Sequence, residues 1–118
     1  MNYMLTMNEV DADFAVRNDP KQAGAYWGAW GAYSAAIRDA GIFVSGAGLQ
    51  PPNTATTVRV RGGKTQVQDG PFADTKEQLA GFFVINVPDL DTALSWAAKA
   101  PSALTASVEV RPLLPPAA

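Results

Sequence analysis

The segment Gly81-Phe82-Phe83-Val84-Ile85-Asn86-Val87 carries apolar side chains at odd and even positions alike. A strand sends successive side chains to opposite faces, so this one needs cover in front and behind. Left wet, Phe82 or Phe83 with the Val or Ile two residues on would each forfeit ~1.5–3 kcal/mol of burial. A patch of that kind exceeds what soluble monomers usually expose. The fold must bury both sides of this strand.

The flanking sequence supplies the covers. Tyr3-Met4-Leu5-Thr6-Met7 reads as a first strand near the centre of a sheet. Asn18-Asp19-Pro20 signals a helix start, and the helix runs to Gly41 with Tyr26, Trp30, Tyr33 and Ile37 on one face, most simply as core. Its Gly24, Gly28 and Gly31 each cost about 1 kcal/mol against alanine, so packing must hold it. A second strand over Ile42–Ala47 leads into the loop Gly48–Asn53. Thr57-Val58-Arg59-Val60-Arg61, Gly62-Gly63 and Lys64-Thr65-Gln66-Val67-Gln68 then form a β-hairpin on a two-glycine turn. If Arg61 faces Lys64, Val60 pairs with Thr65, Arg59 with Gln66 and Val58 with Val67, which leaves one face apolar. A second helix over Leu90–Lys99, capped by Asp89, should bury Leu90, Ala93, Leu94 and Ala97. Ser107–Arg111 is the last strand.

This order is an α+β, ferredoxin-like β-α-β-β-α-β plan with an inserted β-hairpin. Both helices lie on one face of the sheet, so a second copy is the simplest cover for the other, giving a dimeric α/β barrel. Residues 1–113 make a single domain, and 114–118 a loose Pro-rich tail.

Composition excludes several classes of function. A formal charge of −2, with lysines and arginines scattered rather than clustered, argues against nucleic acid as a partner. The chain lacks cysteine, an export-signal pattern and any apolar run of the ~20 residues that cross a bilayer, so a cytoplasmic location away from membranes is expected. It also lacks histidine, so acid–base chemistry falls to carboxylates, lysines or tyrosines. No metal and no cofactor are expected. Glu9-Val10-Asp11-Ala12-Asp13 is the densest group of oxygen ligands, but without the glycine and distal glutamate of an EF-hand it reads as a solvated loop.

Alternation along the hairpin puts Asp69 on the apolar side, where a carboxylate needs a partner. Gly70-Pro71 then turns the chain, and Thr75 with Gln78 could form a capping box around one helical turn. Two readings stay open. In one, Asp69 bonds the amides of its own turn in a structural corner. In the other, Asp69 and Glu77 are acid–base groups at a pocket mouth, with Arg59, Gly70 and Lys76 contacting an anionic ligand. Glu109 and Arg111, alternating with core valines, read as a surface or interface ion pair.

Asp69-Gly70-Pro71-Phe72 followed by Thr75-Lys76-Glu77-Gln78-Leu79, with Gly48-Leu49-Gln50-Pro51-Pro52 before and Val108-Glu109-Val110-Arg111-Pro112 after, resembles the YCII-related proteins of the DGPF-domain type. The resemblance spans nearly the whole chain and implies a small cytoplasmic homodimer built as a dimeric α/β barrel. Some relatives are encoded beside, or joined to, sigma factors, which implies a regulatory protein partner. The stricter YCII proteins carry a His-Asp pair in the cleft, and this chain has no histidine to supply it. Two functions follow: binding or transformation of a small anionic metabolite near Asp69 by carboxylate chemistry, or a non-catalytic sensor linked to sigma-factor-dependent regulation.

Overall fold

Odd-numbered residues of β1 (Asn2–Glu9) are buried and even-numbered ones half-buried, the alternation of a strand with one face on a core. The computed structural model describes residues 1–73 and 75–116; Asp74, Ala117 and Ala118 lie outside them, so the expected tail over 114–118 is described only through Pro116. Further strands are β2 (Phe43–Gly48), β3 (Thr56–Arg61), β4 (Lys64–Asp69), β5 (Gln78–Asn86) and β6 (Ser107–Pro112). The helices are α1 (Asp11–Val16), α2 (Ala23–Asp39), α3 (Leu90–Ala97) and α4 (Ser102–Thr105). The main sheet has the order β2-β5-β1-β6 with antiparallel neighbours throughout, which is the ferredoxin-like arrangement. It is an open sheet, and no barrel closes within one protomer.

β1 is central, pairing with both β5 and β6 as its apolar run suggests. Register resolves the two faces of β5. Phe83 and Ile85 stand opposite Leu5 and Tyr3, on the side packed by the helices. Phe82 and Val84 stand opposite Thr6 and Met4, on the open side. Val84 is only 5% exposed there, so the open face is less wet than the sequence pattern alone suggests. Polar groups share that face, among them the expected Glu109–Arg111 ion pair at 2.6 Å. Its largely exposed position makes it a minor contributor to stability.

Two prolines, a cap and a few glycines set the element ends. Asp19 does not cap α2 directly. Its carboxylate accepts the Lys21 amide at 2.8 Å and the Gln22 side-chain amide at 3.0 Å, building a turn from which the helix starts at Ala23. Asp89 caps α3 as expected, accepting the Thr92 amide at 2.8 Å. The buried stripe of α3 is narrower than predicted. Ala93 and Ala97 are buried while Leu90 and Leu94 are about half exposed. Small side chains let the helix lie close on the sheet, which turns the two leucines outward. The Tyr33 hydroxyl joins the helices by donating to the Trp96 carbonyl at 2.8 Å.

The segment 9–13 is not a solvated loop. Glu9 ends β1 with its side chain buried, and Asp11 opens α1, in which Phe14 is buried. Asp13 ties that helix down by accepting the Val10 amide and the Thr105 hydroxyl, each at 3.0 Å.

The hairpin β3–β4 has the register read from its two-glycine turn, pair for pair from Arg61–Lys64 to Val58–Val67. Gly62 and Gly63 hold the positive φ values such a turn requires, +57° and +75°. This hairpin forms its own two-stranded sheet and bonds to no strand of the main one. Its apolar face is solvent-facing, with Val58, Val60 and Val67 at 60%, 59% and 66% exposure. The radius of gyration is 16.1 Å, against the ~13.5 Å expected of a compact domain of this length. The hairpin is an arm.

Candidate functional site

α2 faces the sheet edge with a strip of alternating bulk. Trp27, Gly31, Ser34 and Arg38 recur at four-three-four spacing, so two small residues sit between two large ones on one side of the helix. Opposite them, β2 contributes Gly46-Ala47-Gly48. Bulk is withdrawn from both walls, and a cleft of about 360 Å³ remains between them. A Cβ on Gly31 would meet nothing within 4 Å, whereas one on Gly46 would sit 2.9 Å from the Phe83 ring and one on Gly81 2.7 Å from the Ala47 carbonyl oxygen. Gly46 and Gly81 therefore let β2 and β5 approach, and Gly31 leaves room for something else.

The cleft's wall rings Trp30, Phe83 and Phe43 are held in fixed relation through the buried Tyr33. Trp30 meets Tyr33, Tyr33 meets Phe83 and Phe83 meets Phe43, each edge to face, with centroids 6.0, 5.5 and 6.4 Å apart. The indole Nε1 of Trp30 is buried and has no hydrogen-bond partner among the described residues. A donor buried and unpaired in this way costs about 1–3 kcal/mol.

One end of the cleft holds a buried polar cluster. Arg17 Nη2 donates to Glu9 Oε1 at 3.0 Å, and Arg17 Nε donates to the Tyr26 hydroxyl at 3.0 Å. The Tyr26 hydroxyl lies 2.8 Å from both Glu9 oxygens, sharing its proton between them. The Arg17 guanidinium is also set among the rings of Phe14, Trp27 and Tyr26, at 4.9, 5.4 and 5.7 Å from their centroids. Burial, reinforced by the hydrogen bond to Glu9, pushes the Tyr26 phenol up to about 12. At neutral pH that hydroxyl keeps its proton and acts as a donor, not a base. At the other end the Arg38 guanidinium lies 3.9 Å from the centroid of the Phe43 ring.

The residues singled out from the sequence lie elsewhere. Asp69 ends β4, exposed, opposite Thr56 in the register. Gly70, at φ +98°, donates its amide to the Ala55 carbonyl at the base of the arm. Arg59 bonds the Gln68 side chain at 2.9 Å and lies 5.6 Å from the ring of the exposed Phe72. Lys76 and Glu77 are exposed on the bend before β5. The expected helical turn there is absent. Thr75 donates to the Glu77 carbonyl at 2.6 Å and Gln78 to the carbonyls of Ala73 and Thr75, closing a loop in place of a capping box. None of Arg59, Asp69, Gly70, Lys76 and Glu77 lines the aromatic cleft.

The family model for the YCII-related domain matches residues 1–116. The chain belongs to the YCII-related family. A relative in sequence is the uncharacterized protein R00369 of Rhizobium meliloti (strain 1021), 51% identical over 67 residues. That match covers 55% of this chain and 54% of the relative, so the two correspond over about half their lengths. In structure, this YCII-related chain is similar to 5-chloro-2-hydroxyhydroquinone dehydrochlorinase (TftG) from Burkholderia phenoliruptrix AC1100, solved in complex with 2,5-dihydroxybenzoquinone. The TM-score is 0.55 at 15% identity, covering 97% of this chain and 94% of that one, a likeness of fold. No helix among the described residues is long and apolar enough to cross a membrane.

Glu9, Arg17 and Tyr26 were not singled out as a site in the sequence, although one signal was there. Tyr3, Leu5 and Met7 set the buried parity of β1, and Glu9 continues it. A carboxylate on the core parity of a strand demands a cation, and Arg17 is the next one along the chain.

Proposed function

We propose that this protein binds a small, flat aromatic molecule in the cleft between α2 and the sheet edge. The observation that carries the reading is the pairing of rigid aromatic walls with a preformed Glu9–Arg17–Tyr26 cluster at one end of a space of about 360 Å³. That volume lies at the small end of ligand sites, which typically measure about 300–1,000 Å³. The quinone bound by the structural neighbour is itself a flat ring, which supports a ligand of that shape. Glu9 is the only carboxylate lining the cleft among the described residues, and both its oxygens are engaged; Tyr26 holds its proton at neutral pH. Binding is therefore favoured over turnover, and a sensing role follows more readily than a catalytic one. This places the ligand away from Asp69 and the DGPF turn.

The test uses intrinsic tryptophan fluorescence and thermal shift with 2,5-dihydroxybenzoquinone, catechol and hydroquinone as probes. Saturable quenching with a raised melting temperature is expected, and both effects should weaken in Trp30→Leu. Absence of any saturable response at millimolar probe overturns the reading.

The protein is further proposed to work as a homodimer. Among the described residues no helix covers the sheet face carrying Met4, Phe82 and Val84, and the apolar face of the arm is exposed. Charge favours a second copy as the cover. Residues 56–69 carry Arg59, Arg61 and Lys64 against Asp69, a balance of +2, which leaves −4 on the rest of a chain whose formal charge is −2. A basic arm is thus complementary to an acidic body.

A further inference from the structure

We propose that the ligand of this cleft is an aromatic carboxylate, its acidic group received by Arg38. The inference rests on the binding reading above and assigns the class of molecule that the cleft selects.

Charge balance within the cleft points to Arg38. Among the described residues three ionised side chains line the space: Glu9, Arg17 and Arg38. Glu9 and Arg17 cancel each other in a 3.0 Å ion pair. No carboxylate pairs with Arg38 among the described residues, so the cleft holds one uncompensated positive charge. Apolar walls raise the attraction such a charge exerts on an anion, because less water screens it.

Geometry narrows the anion. The Arg38 guanidinium lies over the Phe43 ring, 3.9 Å from its centre, and pairs with no carboxylate among the described residues, so its N–H groups remain for a partner. A guanidinium edge matches a carboxylate with two parallel hydrogen bonds, and a benzoate-type carboxylate stays close to the plane of its ring. A flat anion of that kind enters a slot between a helix and a strand edge more readily than a tetrahedral phosphate or sulfonate. Trp30 supplies the second fixed point. Its indole lines the same cleft eight residues before Arg38 on α2, about 12 Å of helix rise. The span suits a single ring that packs by the indole and bears an acid group towards Arg38, given the reach of the arginine. Gly31 and Ser34, between these two residues, leave the space for the ring.

The experiment compares 4-hydroxybenzoate with its neutral isostere 4-hydroxybenzamide by isothermal titration calorimetry, on the wild-type protein and on Arg38→Gln. The wild type should bind the carboxylate on the order of tenfold tighter than the amide, with the difference shrinking as salt is raised. Arg38→Gln should bind the two equally, at the affinity the wild type has for the amide, and still unfold cooperatively, with a small drop in melting temperature from the lost contact with Phe43. Equal binding of the pair by the wild type, or a preference that survives in Arg38→Gln, overturns the assignment while leaving the aromatic cleft standing. If neither compound binds, nor any of the three probes named above, the cleft reading falls and this assignment with it.

Discussion

Glu9 and Arg17, the end of the first strand and the residue just past α1, form a 3.0 Å ion pair whose side chains are 2% and 9% exposed. A pair so buried stabilises only because each charge has its partner. Arg17→Met should therefore cost about 3–5 kcal/mol by urea denaturation, since it strands the Glu9 carboxylate. Glu9→Gln combined with Arg17→Met should recover much of that loss, because the double variant buries no net charge. Equal costs for the single and double variants would show that the pair's charge is not what matters.

Alkaline stability tests the two buried phenols. Tyr26 and Tyr33 are each raised from 10.0 to about 12, both chiefly by burial and Tyr26 also by its bond to Glu9. In the unfolded chain these phenols ionise near 10, while the folded chain keeps their protons. The stabilisation they give is thus complete below pH 10 and is lost as pH rises towards 12. Melting temperature should fall across that window, and Tyr26→Phe and Tyr33→Phe should each flatten the fall.

The glycines at the β2–β5 contact separate close approach from mere flexibility. Gly81→Ala pushes a methyl against the Ala47 carbonyl, backbone that cannot yield, and should cost about 1–3 kcal/mol by chemical denaturation. Gly48→Ala meets nothing within 4 Å and should be near neutral. Comparable losses at the two positions would mean that the close approach of Gly81 to Ala47 does not govern this edge.

The arm gives a test of assembly. Sedimentation velocity at micromolar concentration should show a dimer. Replacing Val58, Val60 and Val67 together by serine should shift it towards monomer with the hairpin still formed, because the register comes from the turn. A wild-type chain that sediments as a monomer, or a triple variant that stays fully dimeric, removes the arm from the interface.

Much of the fold was legible because its signals are local. The two-glycine turn fixed every cross-strand pair of the hairpin, Asp89 announced the start of α3, and two-faced hydrophobicity placed β5 inside the sheet. The helical face of Tyr26, Trp30, Tyr33 and Ile37 followed from spacing, with Tyr33 and Ile37 buried and the other two at the cleft. What escaped depends on tertiary neighbours. α1 has two acidic residues in its first turn, which read as a loop until Asp13 is seen bonding Val10 and Thr105. The cleft exists because small residues on α2 and β2, far apart in sequence, face each other. The DGPF turn carries a cluster of polar residues in sequence, yet Asp69 stands exposed at the end of β4.

Arg17 reaches further than its ion pair. While Nη2 holds Glu9, Nη1 donates to the Leu49 carbonyl, in the connection that leads from β2 to the arm. One side chain thus pins the inner end of the cleft and the root of the projecting hairpin to the same point. A pull on the hairpin by whatever grips it would be felt first at that guanidinium, and a ligand that stiffens the pocket would brace the hairpin in return.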